Sequence, residues 1–145
     1  MSDNKADNKA DNNIHPVVQK MLDEDAMTRW LKVEVLESRE GFCRLKMVAR
    51  EEMANGFKIV HGGITFSLAD SAIAFAANAY GRHAVSLSTT IRHLLPVMAG
   101  DTLIAEATVT SLKHKIVSVD ATVTNQKSEK VADVQATGYR KSEEW

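Results

Sequence analysis

Hydrophobic and polar positions follow two rhythms along this chain. Residues 101–111 set Leu103, Ala105, Ala107 and Val109 against Thr102, Glu106, Thr108 and Thr110. Residues 115–124 repeat the alternation, with Val117, Val119, Ala121 and Val123 against Ser118, Asp120, Thr122 and Thr124. In 130–140, Ala132, Val134, Ala136 and Gly138 oppose Val131, Asp133, Gln135, Thr137 and Tyr139. A period of two marks a strand with one covered face. Two earlier runs share it: 31–37, through Leu31, Val33 and Val35, and 42–50, through Cys43, Leu45, Met47 and Ala49. Residues 84–93, with Val85, Leu87 and Ile91, predict a further strand that ends before Pro96. Arg39-Glu40-Gly41, Lys113-His114 and the polar segment Asn125 to Glu129 supply connections.

The second rhythm belongs to a helix. From Gly63 to Gly81 the chain has no proline and no internal glycine, and Asp70 is its one acid or base. Leu68, Ala72, Phe75, Ala76 and Ala79 recur on one helical stripe and are expected to face a core. Gly63, Ser67, Asp70, Ala74 and Ala77 form a second stripe, small apart from the carboxylate, which permits close approach by a helix or a ligand. Pro16 opens a shorter amphipathic helix carrying Val17, Met21 and Leu22, ending near Asp25. Antiparallel strands with one covered face, lined by alanine and glycine, leave room for a helix to lie close. The predicted fold is therefore α+β, a six-stranded antiparallel sheet wrapped around one long central helix.

Composition narrows the function. A length of 145 residues suits one domain, assigned to 14–145. The preceding 1–13 hold a polar DNKA repeat with no apolar anchor, read as a disordered, dispensable tail. A net charge of -1 gives no case for nucleic acid or an anionic membrane. The apolar helix is interrupted by Ser67, Asp70, Ser71 and Asn78, so it reads as a core helix rather than a membrane span, and the polar N-terminus predicts a cytoplasmic protein. The single cysteine, Cys43, sits on an apolar strand face and reads as a buried structural thiol.

Candidate chemistry is sparse. There is no G-x-S-x-G elbow, phosphate loop or dinucleotide fingerprint. His15, His61, His83, His93 and His114 lack metal-ligand spacing, so no metal is expected. His61-Gly62-Gly63 differs because it opens the long helix. Helix N-termini present unpaired N–H groups and partial positive charge, and glycine lets a carbonyl oxygen approach them. The same glycines also suit a plain tight turn. Asp70 lies seven residues on, about 10 Å at a rise of about 1.5 Å per residue. One subunit cannot bring both to one atom, and a second could. The competing reading of Asp70 is a carboxylate at a solvent seam or bonded to a neighbouring strand.

Asn55-Gly56, His61-Gly62-Gly63, Phe66-Ser67-Leu68-Ala69-Asp70-Ser71-Ala72, Pro96 and Gly100-Asp101-Thr102-Leu103, at these spacings, resemble the hot-dog-fold acyl-CoA thioesterases of the phenylacetate-degradation (PaaI-like) branch. The resemblance spans roughly 17–140. It implies hydrolysis of an acyl-CoA, aryl-acyl or medium-chain, without a cofactor. It implies a homodimer with a continuous sheet, commonly a tetramer of two dimers, and an active site at the dimer interface. By position, Asp70 matches the catalytic carboxylate, as base or nucleophile, and the Gly63 N–H, with Gly62, polarises the carbonyl. Asn55 and His61 position thioester or water from the opposing subunit. Ser86 matches a water-orienting hydroxyl, with Ser88 as competitor. Lys113, Lys115, Arg140 and Lys141 are candidates for the CoA phosphates. Phe57-Lys58 departs from the N-G-H-G that often stands here. The alternatives on such a fold are a non-catalytic acyl-CoA-binding protein and an acyl-thioester hydratase or dehydratase. The local motifs of the latter are absent.

Overall fold

The computed structural model of the chain describes residues 13–145. The DNKA repeat therefore lies outside the described residues. The elements run α1 (Pro16–Glu24), α2 (Ala26–Leu31), β1 (Glu34–Arg39), β2 (Phe42–Val48), a 3-10 turn (Glu51–Met53), α3 (Gly62–Asn78), β3 (Arg82–His93), β4 (Thr102–Lys113), β5 (Ile116–Thr124) and β6 (Lys130–Glu144). All pairings are antiparallel, in one six-stranded sheet of order β1-β2-β4-β5-β6-β3. α3 packs on the inner face against β2, β3, β4 and β5. This is the hot-dog arrangement the pattern and the resemblance both predict.

The stripe expected to face the core does so. Leu68, Ala72, Phe75, Ala76 and Ala79 are buried against Cys43, Leu45, Met47, Leu103, Ala105 and Val119. Alanine on the strands and on α3 keeps side chains short where helix and sheet meet, which lets the sheet close around the helix. Asn78 fixes where α3 ends. Its Nδ2 donates to the Ala74 carbonyl at 2.8 Å and the Ala84 carbonyl at 3.1 Å; its Oδ1 accepts from Ala84 N and from Trp145 Nε1, each at 2.9 Å. A buried amide with both ends satisfied pins the start of β3 beside the last turn of α3.

Four expectations change. Residues 31–37 are not one strand. Asp25 Oδ1 accepts from Thr28 N at 3.1 Å and starts α2, Leu31 ends that helix, and Lys32 closes it in the left-handed conformation at φ 56. An Asp N-cap outcompetes a short alternating run. Val85 and Leu87 are not covered: they are 46% and 60% exposed, because β3 is a sheet edge. The β6 alternation breaks at its start, where Val131 and Ala132 are both buried beside a register shift between Val123 and Thr124. On α1 the deepest residue is Val18, with Val17, Met21 and Leu22 only partly buried.

Candidate active site

α3 carries both halves of the site at different heights. At its start, His61 is the N-cap, and its Nδ1 accepts the Gly63 N–H at 2.9 Å. The predicted carbonyl donor is thus engaged, and the imidazole must swing aside before Gly63 can receive a carbonyl. Gly62 presents the other early N–H of the helix. A Cβ added at Gly62 would stand 3.0 Å from Cε1 of His93, so glycine is what lets that imidazole lie against the helix start.

Asn55 shapes the loop that leads there. Its Oδ1 accepts from Phe57 N at 2.9 Å and Ile59 N at 3.3 Å, Lys58 adopts φ 62, and Ala54 bridges Val60. The carbonyl end of the amide is spent on the turn, which leaves Nδ2 as the group able to donate to a ligand. Asn55, Gly62, Thr65 and His93 share a cavity of about 360 Å³ with Ile59, Val60, Leu94, Leu95, Pro96 and Val97.

Asp70 is half-buried on the stripe of small residues. Burial pushes its pKa up, and the negative charge of Asp25 pushes it further the same way. Among the described residues no hydrogen-bond donor offsets this shift, so the reading of Asp70 as the acceptor of a strand's hydrogen bond is not met. A carboxylate held this way is a stronger base than one in water. One turn further along α3, an apolar slot of about 200 Å³ opens between Ile73, Ala74 and Ala77 on the helix and Ala84, Val85, Ser86 and Gly138 on β3 and β6. Gly138 is needed there, since an added Cβ would meet Val117 Cγ1 at 2.9 Å. Ser86, not Ser88, lines the slot.

Two of the basic candidates lie next to the slot's walls along the chain, Arg140 two residues past Gly138 and Lys115 two before Val117. Arg140 pairs with Ala84 across β6 and β3, lies 6.0 Å over the Tyr80 ring, and donates from Nη1 to the His114 carbonyl at 3.4 Å. Lys115 stands 6.0 Å over Tyr139, and Lys113 ends β4. Within the chain the structure brings together Asn55, Gly62 and His93, and separately lines the slot with Ser86, one helical turn beyond Asp70. It does not join the two sets. In the sequence, His93 has no role beyond its lack of metal-ligand spacing, Thr65 goes unnoticed, and Asn78 is marked only as a polar break in the apolar helix. Only contact with Gly62, across a fold closure, marks His93. Among the described residues no three His, Cys, Asp or Glu side chains gather as a metal site, and no helix is long and apolar enough to cross a membrane.

A family model described as the thioesterase superfamily matches residues 57–132. The acyl-coenzyme A thioesterase PaaI of Escherichia coli (strain K12) is 37% identical over 120 residues, covering 83% of this chain and 86% of that protein. The solved structure of the E. coli PaaI protein from the phenylacetic acid degradation operon superposes with a TM-score of 0.86 at 34% identity, covering 88% of this chain and 93% of that one. The smu.793 protein of Streptococcus mutans, solved bound to acetyl CoA, gives a TM-score of 0.75 at 25% identity, over 78% of this chain and 91% of that one. With its six-stranded sheet, its central helix and its helix-opening glycines, this chain belongs to the thioesterase superfamily, as a PaaI-like hot-dog protein.

Proposed function

We propose that this protein is an acyl-CoA thioesterase, and that it hydrolyses its substrate at a site completed by two subunits. The observation that carries this reading is Asp70. It is a carboxylate with a raised pKa, met by no donor among the described residues, one helical turn before an apolar slot. The names of the PaaI relative and of the acetyl CoA complex support a CoA thioester as substrate.

In this reading the Asp70 carboxylate takes a proton from water as the water oxygen attacks the thioester carbonyl. The Ser86 hydroxyl orients that water. Charge developing on the carbonyl oxygen is met by the Gly62 and Gly63 N–H groups and by Asn55 Nδ2 of the opposing subunit, once His61 releases Gly63. The intermediate collapses, the C–S bond breaks, and CoA leaves as a thiolate that takes up a proton. Carboxylic acid and CoA are the products, and no cofactor beyond the substrate's own CoA is called for.

The slot begins one helical turn past Asp70, and its wall residue Ala84 pairs with Arg140, whose backbone N–H donates to the Lys115 carbonyl. Its narrow walls suit the pantetheine arm, with the Ser86 and Thr137 hydroxyls for its amides and the basic residues for the phosphates. The opposing glycines come from a second copy joined through the free edge of β3, where Val85 and Leu87 are exposed. Antiparallel pairing of the two β3 strands sets the α3 start of one subunit beside the Asp70 face of the other. A dimer, or a dimer of dimers, in the cytoplasm follows. The test is a panel of acyl-CoAs with free-thiol release as the readout. Cys43 does not confuse that readout, because burial pushes its thiol pKa up to about 12. Turnover on at least one acyl-CoA is expected; binding without turnover on all of them would favour a non-catalytic acyl-CoA carrier.

A further inference from the structure

Asn78 does more than end α3. Three of its four side-chain hydrogen bonds go to residues that line the slot: Nδ2 donates to the carbonyls of Ala74 and Ala84, and Oδ1 accepts from Ala84 N. The fourth comes from outside the slot, where Trp145 Nε1 donates to the same Oδ1 at 2.9 Å. Asn78 is 1% exposed, and four bonds use all the capacity of its amide. A buried amide satisfied in this way has one orientation, and Trp145 supplies one of the contacts that fix it.

Trp145 is itself seated by contacts that do not involve the slot. Its backbone N–H donates to the Gly81 carbonyl at 3.0 Å, and its ring lies 4.1 Å from the His83 ring, centroid to centroid, tilted by 36°. Beside it Glu144 pairs with Arg82, and Arg82 Nε donates to the Lys141 carbonyl at 2.7 Å. The first residues of β3 and the last of β6 therefore hold the indole against the turn that follows α3. From there the route to the slot is short. The indole fixes Asn78, and Asn78 fixes Ala74 on the helix wall and Ala84 on the strand wall. The spacing of those walls sets the width of a slot of only about 200 Å³. In a close-packed interior a small shift of one wall is felt by whatever lies between them.

We infer that Trp145 is a positioning residue for the slot: through Asn78 it holds Ala74 and Ala84 at the spacing that a pantetheine arm needs. This rests on the slot as the CoA site of the thioesterase reading. It deepens that reading by naming a residue that acts on the CoA part of the substrate and not on the acyl part.

The test is Trp145→Phe, which keeps a ring against His83 and removes the N–H. The buried Oδ1 of Asn78 then keeps one donor in place of two, and the amide loses its fixed orientation. KM for the best acyl-CoA of the panel should rise by about threefold to tenfold, the size of one hydrogen bond, with kcat nearly unchanged. The S-phenyl thioester of the same acid lacks the pantetheine arm, so its kcat/KM should stay as in the wild type. The Kd for free CoA, measured by calorimetry, should rise by the same factor as KM, and it reads the slot without turnover. An unchanged KM and CoA Kd, or an equal loss on both esters, would overturn the inference and leave Trp145 a contact that only stabilises the fold. If no acyl-CoA is turned over but CoA binding weakens in Trp145→Phe, the thioesterase reading falls and the role of Trp145 stands.

Discussion

Asp70 has two influences against its ionisation: the packing that buries half of it and the charge on Asp25. The folded pKa lies above the ordinary carboxylate value, so the native state holds the proton at a pH where the unfolded chain has released it. Stability contributed by this group therefore falls as pH rises through that window. The same shift sets the acid limb of the pH–rate profile above the range of an unperturbed carboxylate. Asp25→Asn removes the second influence and keeps the N-cap of α2, because Asn caps nearly as well as Asp. The acid limb should move to lower pH, with little change in thermal midpoint. A limb that stays in place would show that Asp25 does not act on Asp70. Asp70 stood out in the sequence as the lone charge in an apolar helix. The part played by Asp25 did not, because it depends on α1 and α2 folding back beside α3.

The elements divide in the same way. β4 and β5 follow their alternation along their inner faces, and α3 presents its expected stripe, because each pattern is set by burial on a single face. β3 misleads for a physical reason. Its apolar residues read as a core face, yet Val85 and Leu87 are exposed on a sheet edge whose second neighbour is absent from one chain. Edge strands with exposed large side chains are ordinarily paired or protected. Leu87→Asp places a charge on that edge without touching the core of the subunit. It should yield a folded monomer by sedimentation, and turnover should fall with the dimer. A Leu87→Asp monomer of full activity would contradict the shared site. His61 is the complementary case. Its glycines announce a helix start, but only the structure shows its ring occupying the N–H that catalysis would use.

At the scale of the whole molecule, the proposed site is divided between two places along α3. The start of α3 offers Asn55, Gly62 and an apolar cavity; its middle offers Asp70 and, one turn on, a slot lined by Ser86. The hot-dog fold was readable from periodicity and motif spacing together. The cavities were not, because Gly138, Val117 and Val85, or Gly62 and His93, meet only after distant segments close on one another. What joins the half-sites is the claim that Asp70 is the base, and Asp70→Asn tests it most directly. The amide keeps size and shape and removes both the base and the cost of a partly buried charge. Turnover on the best acyl-CoA should fall by about 10²–10⁴, while the thermal midpoint at neutral pH holds or rises. Near wild-type turnover in that variant would contradict the account, whatever its melting temperature.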